Sequence, residues 1–306
     1  MRQTNAVWVT FITAQSMLRQ IRTTNTSKHR TGSGIVDLLK TAWSIKSVLA
    51  HTLWPLLAVI ASFIVFVVRN KGIVVGDKDH HTPVTHWVQL MYCSAYITLV
   101  LAPLLYSSHT LQDIRQLCSG SGSTLSNSGA GMGRKAKAKP RLNDAVVLLV
   151  VVLSTTCICW LCIAKGTLIH PFLVADNRHY PFYVWRKVIN RTPWARYALI
   201  PVYVYSVLGL ASRLVAGGWG GWEVAGVGVA AVLVLVPAHL LEFRYYTMVF
   251  YTIFLMGKAP VVSSRGGRWG VGLTVVGAAV VNAVTLYVFA RRPFTWEDGS
   301  VARFMW

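Results

Sequence analysis

The chain has 306 residues, of which 54% are hydrophobic and 13% charged, and its mean hydropathy is +0.49. A soluble domain of this size cannot bury so much apolar surface, so the composition excludes an ordinary water-soluble fold and indicates an integral membrane protein. The formal charge of +20 would suit a nucleic-acid-binding protein. The cations, however, lie between apolar runs, and no nucleic-acid-binding motif accompanies them. We therefore expect membrane lipid, and no nucleic acid, among the partners.

Apolar runs long enough to cross the roughly 30 Å of bilayer hydrocarbon recur along the chain. A short run, Ala6 to Leu18, comes first, and another short run, Thr247 to Met256, is interpreted as interfacial or re-entrant. The six runs of spanning length are Leu49 to Val68, Trp87 to Leu105, Ala145 to Ala164, Tyr197 to Val215, Trp222 to Leu241 and Val271 to Ala290. The pattern predicts an all-α polytopic membrane protein, with residues 1–306 as a single multi-span domain.

Six spans divide the loops between two faces of the membrane. Residues 20–47, 107–144, 217–221 and the tail from Arg291 fall on the first face, and residues 69–86, 165–196 and 242–269 on the second. Lys and Arg are shared almost evenly, so the positive-inside rule does not fix the orientation. The first face carries residues 118–141, a Gly/Ser segment followed by a basic run, which we interpret as a low-complexity flexible loop.

The second face carries the polar chemistry, above all the segment ADNRHYPFYVWRK at residues 175–187. Asp176, Arg178 and His179 lie within four residues, and the planar fork of an arginine pairs with two phosphate oxygens at once. His179 either adds a proton-dependent contact or is an ordinary loop histidine. The candidate sugar or lipid contacts are Tyr180, Phe182, Tyr183 and Trp185. The segment predicts a site for an anionic, sugar-like group; the alternative is a set of interfacial anchors.

Two further loops on this face are polar: GDKDHH, which contains Asp77, and EFRYY at residues 242–246. The Asp and His residues of GDKDHH suggest a metal site, but the set is compact and solvent-facing, and we predict no metal and no cofactor. Pro237 should end the fifth span and redirect the chain toward Glu242. Arg244 then pairs with Glu242 or with a ligand, and the sequence leaves both open. Three cysteines in the third span are interpreted as buried thiols.

Five strings, in this order, resemble a known family: RQTN at residues 2–5, GIVVGD at 72–77, ADNRHY with FYVW at 175–185, LLEFRYY at 240–246 and RFMW at 303–306. They are similar to the endoplasmic-reticulum dolichyl-phosphate-glucose glucosyltransferases that add the terminal α-1,2-linked glucose to the lipid-linked N-glycan precursor. The resemblance implies a GT-C type transmembrane bundle in the endoplasmic reticulum membrane, with its site facing the lumen. It also implies that the chain corresponds to the C-terminal portion, without the first lumenal loop expected to supply the catalytic base.

The implied partners are dolichyl phosphate glucose and the dolichyl-diphosphate-linked oligosaccharide, and the reaction proceeds with inversion at the anomeric carbon. The resemblance assigns donor phosphate and sugar binding to Arg2, Asn177, Arg178, His179, Tyr180, Arg244 and Tyr245. The identity of the base is left unknown, with Asp176, Asp77 and Glu242 as weak candidates. Two other classes remain open: an inactive or regulatory membrane protein that retains the fold, and a transporter, for which no internal repeat is visible.

Overall fold

A computed structural model describes residues 4–27, 35–71, 84–105, 114–115, 117–118, 142–256, 265–296 and 298–305. Arg2, Asp77 and residues 119–141 of the low-complexity loop lie outside these ranges.

The described residues are predominantly helical. The helices are α1 (Thr4–Ser27), α2 (Ile35–Ser44), α3 (Lys46–Asn70), α4 (Gln89–Leu105), α5 (Leu142–Gly166), α6 (Pro171–Ala175), α7 (Tyr180–Val184), α8 (Ala195–Ala198), α9 (Ile200–Ala216), α10 (Gly221–Leu235), α11 (Thr247–Tyr251) and α12 (Arg265–Arg291). Trp185–Ile189 and Thr252–Met256 are π-helical, and Phe243–Tyr246 is a 3-10 turn. β1 (Phe294–Thr295) and β2 (Val301–Ala302) pair as a short antiparallel hairpin.

Four helical stretches in the described ranges are long and apolar enough to cross a membrane: Lys46–Asn70, Asn143–Gly166, Ala195–Ala216 and Trp269–Arg291. Two shorter apolar helices, Gln89–Leu104 and Gly221–Leu235, account for the other two predicted runs. Apolar side chains such as Leu149 and Leu153 on α5 remain exposed, as lipid-facing positions require because the surrounding solvent is hydrocarbon. The prediction of an all-α polytopic membrane protein is confirmed.

Residue contacts separate the chain into two compact units, Met1–Thr82 with Ala225–Val234, and Pro83–Val224 with Leu235–Trp306. In the first unit, α1 packs against α2 and α3. Trp8 is fully buried there and meets Phe11 edge to face, with ring centroids 6.0 Å apart. The short run predicted at the start of the chain is therefore the apolar part of a longer helix, which buries aromatic side chains in its own unit.

The second unit is built around α4, which packs against α9 and α12. Gly270, near the start of α12, lies so close to the backbone of Pro103 that a Cβ at this position would collide with it. Helices approach this closely only where one of them lacks a side chain at the contact. The contact sets α12 antiparallel to α4, because the first turns of α12 meet the last turns of α4.

One end of this second unit, where α4 begins, is here called the polar end. The backbone of Gly166, the last residue of α5, lies against Trp87, and the rings of Tyr92 on α4 and Tyr203 on α9 are 6.1 Å apart. Residues 167–199, which connect α5 to α9, therefore lie at the polar end. The hydroxyls of Tyr180 and Thr285 are 2.7 Å apart, which brings the last turns of α12 to the same end.

The tail that follows α12 lies at the polar end, and its predicted placement on the opposite face is wrong. The backbone N–H of Met305 donates to the carbonyl of Arg178 over 2.8 Å. Chain direction explains the error. Residues 236–246 lie at the polar end, whereas the first turns of α12 lie at the opposite end, so Glu242 and Trp269 do not share the face predicted for both. The chain thus changes ends between these two residues, which moves the tail to the side opposite its predicted one.

The fifth span ends where its proline predicts. α10 stops at Leu235, and the next residues run beside the segment that precedes α4. There the N–H of His86 donates to the carbonyl of Val236 over 2.9 Å, and that of Val84 donates to the carbonyl of Pro237 over 3.3 Å. Proline has no N–H and cannot continue a helix, so the chain leaves the helical path and pairs its carbonyls with a neighbouring strand of backbone instead.

This arrangement predicts that residues 298–305 and 186–194 are accessible from one side of the membrane, and residues 217–221 from the other. A membrane-impermeant maleimide applied to sealed microsomes should label Ser300→Cys and Asn190→Cys under the same conditions. If those two variants are labelled only after permeabilisation, Gly218→Cys should be labelled in intact microsomes. If they are labelled in intact microsomes, Gly218→Cys should require permeabilisation. Labelling of Ser300→Cys together with Gly218→Cys would restore the tail to the opposite face.

Candidate functional site

The polar end contains a bidentate ion pair between Asp176 and Arg178. The guanidinium donates from Nε to Oδ1 over 2.9 Å and from Nη2 to Oδ2 over 2.7 Å. The N–H of Arg178 also donates to Oδ1 over 3.0 Å, and Nε2 of His179 lies 3.3 Å from Oδ2. Such bidentate, charge-assisted contacts are stronger and more directional than ordinary hydrogen bonds. Acid, arginine and histidine thus form one cluster, as the sequence predicts.

Local sequence explains how this cluster folds. His170 caps α6 by accepting the N–H of Phe172 on its Nδ1 over 3.1 Å, and Pro171 occupies the first turn, where a missing N–H costs nothing. The helix ends at Ala175, and Asp176 is its C-terminal cap. The aspartate side chain then accepts from the backbone two residues on, which is the turn that aspartate favours. A second proline, Pro181, starts α7 directly afterwards.

The aromatic residues of this segment divide into packing and half-buried groups. Phe182 and Trp185 are buried, at 9% and 5% exposure, and pack within the protein; their prediction as ligand contacts finds no support in the geometry. Tyr180 is half-buried, with its hydroxyl on Thr285 and its ring 4.7 Å edge to face from Phe304. Tyr183 is also half-buried, and the Lys187 ammonium lies 5.4 Å from its ring.

A second acid–arginine pair lies in the segment after α10. Glu242 and Arg244 form an ion pair through two guanidinium nitrogens, so the sequence alternative in which Arg244 pairs with Glu242 is the one observed. The arginine is 58% exposed, whereas the glutamate is only 19% exposed. The guanidinium also lies 5.8 Å from the ring of Tyr245. Both pairs have the spacing acid, one residue, arginine, and both leave the arginine the more exposed partner.

A buried amide holds this second pair in place. Gln89, which is fully buried at the start of α4, donates from Nε2 to the carbonyls of Ala238 and Leu240 over 3.2 and 3.0 Å. It accepts the hydroxyl of Tyr246 on Oε1 over 2.7 Å. These contacts bracket Glu242 and fix the path of the backbone that carries it. Sequence reasoning missed Gln89, and a glutamine inside an otherwise apolar span was the available signal.

Histidines link the two polar segments. The rings of His170 and His239 are 4.6 Å apart, at an interplanar angle of 75°, so the residues leading into Asp176 lie beside those leading into Glu242. His86 is buried, and its Nδ1–H donates to the carbonyl of His239 over 3.2 Å. Burial lowers the pKa of His86, which favours the neutral imidazole. The contact between His170 and His239 thus brings the segment before Asp176 beside the segment before Glu242, while Arg2 and Asp77 lie outside the described residues.

The hairpin and the residues after it add groups that the sequence did not predict. Trp296 donates its Nε1–H to Oδ1 of Asn177 over 3.3 Å, and the guanidinium of Arg178 lies 5.0 Å from its ring. Phe304 packs on Tyr180, and Met305 bonds the Arg178 carbonyl. The terminal string RFMW was visible in the sequence, but the misassigned crossing placed it on the wrong face.

The charge state of the cluster follows from these contacts. The Arg178 guanidinium, with help from the Arg178 N–H and from His179, holds the pKa of the Asp176 carboxyl below its ordinary value. The carboxylate is therefore ionised throughout the neutral range and is a weak base. Among the described residues, no group of three His, Cys, Asp or Glu side chains is arranged to hold a metal ion.

The lowered pKa predicts an acid-sensitive contribution to stability. A carboxyl whose folded pKa lies below its unfolded value stabilises the fold fully above the unfolded value, about 3.9, and loses that contribution as pH falls through the folded pKa. We expect the thermal midpoint of the detergent-purified chain to decrease when the pH is lowered below about 4. The decrease should be smaller in Asp176→Asn. Asp144→Asn is the matched control, because Asp144 lies in the first turn of α5, at the end of the second unit away from Asp176. An equal flattening in both variants would contradict a special role for Asp176.

The apolar helices, the lipid-facing side chains and the polar end together define a multi-pass membrane protein with a candidate anion site on one membrane face. Residues 1–255 match the DIE2/ALG10 family. The chain belongs to this family, which confirms the resemblance found in the sequence.

Three of the relatives share one name. The chain is 34% identical over 275 residues to the Arabidopsis thaliana protein named Dol-P-Glc:Glc(2)Man(9)GlcNAc(2)-PP-Dol alpha-1,2-glucosyltransferase, a match covering 89% of this chain and 48% of that protein. Proteins of the same name from Rattus norvegicus and Homo sapiens are 32% and 28% identical, over 88% and 100% of this chain and 50% and 61% of theirs. The chain thus spans about half the length of the curated relatives it matches. No solved structure matches it.

Proposed function

We propose that this chain takes part in the transfer of glucose from dolichyl phosphate glucose to the diglucosylated lipid-linked oligosaccharide, forming the terminal α-1,2-linked glucose. The observation that carries the proposal is the Asp176–Arg178 fork at the polar end, in a chain whose relatives are named for this reaction. A donor with its lipid tail in the bilayer presents its phosphate at the membrane surface. A cationic site at the end of a helix bundle meets it there.

The proposed chemistry is a displacement at the anomeric carbon with inversion. The acceptor hydroxyl oxygen bonds to that carbon and loses its proton to a base, while the bond from the carbon to the phosphate oxygen breaks and dolichyl phosphate leaves. Positive charge at the departing phosphate lowers the barrier because negative charge develops there. We assign this role to Arg178 and Arg244, with Arg2 and His179 as further phosphate contacts.

The carboxylates of the two pairs fit an orienting role better than a basic one. Asp176 already accepts three hydrogen bonds from Arg178, and its pKa is lowered, so its affinity for a proton from a sugar hydroxyl is weak. Glu242 is likewise committed to Arg244. We assign sugar contacts to Asn177, Tyr180 and Tyr245, and we leave the base outside these residues.

The proposal places the polar end in the lumen of the endoplasmic reticulum. The acceptor named in the relatives is a dolichyl-diphosphate-linked glycan, so both substrates have polyisoprenoid anchors and carry their sugars at one membrane face. Donor phosphate, acceptor glycan and cationic pairs must then share that face.

Complementation tests the proposal. Cells lacking the terminal glucosylation step accumulate precursor one glucose short. Expression of the 306-residue chain should shift that precursor by one hexose, measured by mass spectrometry of the released glycans, and the double variant Arg178→Ala/Arg244→Ala should abolish the shift. Purified chain should also retain radiolabelled dolichyl phosphate glucose in detergent. A chain that expresses well yet neither shifts the glycan nor binds this lipid would overturn the proposal.

A further inference from the structure

We propose that Trp296 is a positioning residue for Arg178, and that residues 294–296 and 298–305, here called the C-terminal strap, hold the Asp176–Arg178 pair in place for a phosphate-bearing lipid. The ligand part of this inference rests on the proposed function. The positional part rests on contacts within the second unit alone.

The strap contacts three residues of the polar segment, Asn177, Arg178 and Tyr180. The Trp296 indole bonds the amide of Asn177 over 3.3 Å and lies 5.0 Å from the guanidinium of Arg178. The N–H of Met305 bonds the Arg178 carbonyl over 2.8 Å. Phe304, at 8% exposure, packs edge to face on Tyr180 with centroids 4.7 Å apart. Backbone, guanidinium and neighbouring side chains of Arg178 are therefore all fixed by one segment.

The strap is itself bonded to the end of α12, so it can hold the residues that it contacts in a fixed position. Nη1 of Arg303 donates to the carbonyls of Phe289 and Ala290 over 2.9 and 3.2 Å, which satisfies carbonyl groups in the last turn of α12. The turn between the strands closes through the N–H of Trp296 on the carbonyl of Ser300 over 3.0 Å, with Gly299 at a φ of 79°. Only glycine adopts that conformation without strain. The indole is consequently presented by a hairpin tied to the end of a membrane helix.

The physical role follows from the geometry of the pair. Asp176 accepts hydrogen bonds from Nε and Nη2 of the guanidinium, and the guanidinium carbon lies 5.0 Å from the centroid of the Trp296 ring. Contact with an aromatic face stabilises the cation in that position. Because Arg178 is 31% exposed at its side chain, solvent would otherwise allow other rotamers. The indole and the carboxylate together leave the guanidinium in one orientation, with its remaining N–H groups available to a phosphate.

Hydrogen–deuterium exchange of the purified full chain tests the positional part without any ligand. Trp296→Ala should raise exchange in peptides covering residues 175–183. Trp296→Phe, which retains a ring but loses the indole N–H, should raise it less. Trp194→Ala is the matched control, because Trp194 is an exposed tryptophan in the same inter-helix segment and contacts Tyr197. Unchanged exchange in Trp296→Ala, with the protein monodisperse, would overturn the proposal.

Binding of two lipids tests the ligand part. Trp296→Ala should weaken retention of both dolichyl phosphate glucose and dolichyl phosphate about 2- to 30-fold, as expected for loss of a cation–π contact, and Trp296→Phe should recover part of each. A loss confined to the glucosylated lipid would make Trp296 a sugar contact and overturn its role through Arg178. If the parent chain binds neither lipid, the proposed function fails, and the exchange measurement still decides whether the strap orders the pair.

Discussion

Replacing Arg178 with alanine is expected to weaken binding of dolichyl phosphate glucose about 10- to 100-fold. The reason is the loss of a charge-assisted hydrogen bond to the phosphate, which contributes about 1.5–3 kcal/mol. Arg178→Lys should recover only part of the affinity, because an ammonium keeps the charge but not the planar fork. The measurement is equilibrium retention of radiolabelled lipid by the detergent-purified chain, with the phosphate-free lipid dolichol as competitor.

Two further variants separate ligand binding from local folding. Arg178→Ala leaves Asp176 without its main partner, so the double variant Asp176→Asn/Arg178→Ala removes the stranded carboxylate and should bind as weakly as the single variant. Arg191→Ala is the matched control, because Arg191 is an exposed cation in the same inter-helix segment. Equal losses in Arg191→Ala and Arg178→Ala would show that general surface charge, rather than the fork, attracts the lipid.

The Asp176–Arg178 pair was predictable from sequence because its partners are two residues apart. An aspartate after a short helix accepts the next-but-one N–H, and an arginine at that position reaches the same carboxylate. Glu242 and Arg244 repeat the pattern, but there the sequence left the partner open. A hydrogen bond between residues that are close in sequence can be inferred from a short sequence motif. The partner of a more exposed side chain, such as Arg244, is harder to assign.

Trp296 and Gln89 were not predictable in the same way. Each acts on a residue more than a hundred positions away, so its role depends on which loops share a face. That assignment depended on the number of crossings, and the run at residues 247–256 is too short to count by length alone. Spans can be found from hydropathy because each is long and uniform. The face assigned to each loop is less certain to be right, because it depends on the number of crossings before that loop. One missed crossing therefore moves every later loop to the wrong face.

The second large effect is expected at Gln89, where leucine is of similar size but has no hydrogen-bonding groups. Gln89→Leu leaves the carbonyls of Ala238 and Leu240 and the hydroxyl of Tyr246 without their buried partner. Each orphaned group costs about 1–3 kcal/mol, so we expect a loss of roughly 3 kcal/mol or more and a thermal midpoint lower by on the order of 10 °C. The measurement is the monodisperse fraction remaining after heating in detergent, followed by fluorescence-detected size exclusion.

Smaller changes at the same network grade this effect and connect it to the site. Tyr246→Phe removes one hydrogen bond and should cost about 1–3 kcal/mol, whereas Tyr251→Phe, at an exposed tyrosine, should leave the midpoint unchanged. Because the network brackets Glu242, Gln89→Leu should also weaken lipid retention at temperatures where the protein is still folded, although Gln89 is fully buried. Full retention of lipid alongside the lowered midpoint would show that the Gln89 network stabilises the protein without affecting lipid binding. The Glu242–Arg244 pair would then be held by its own short turn.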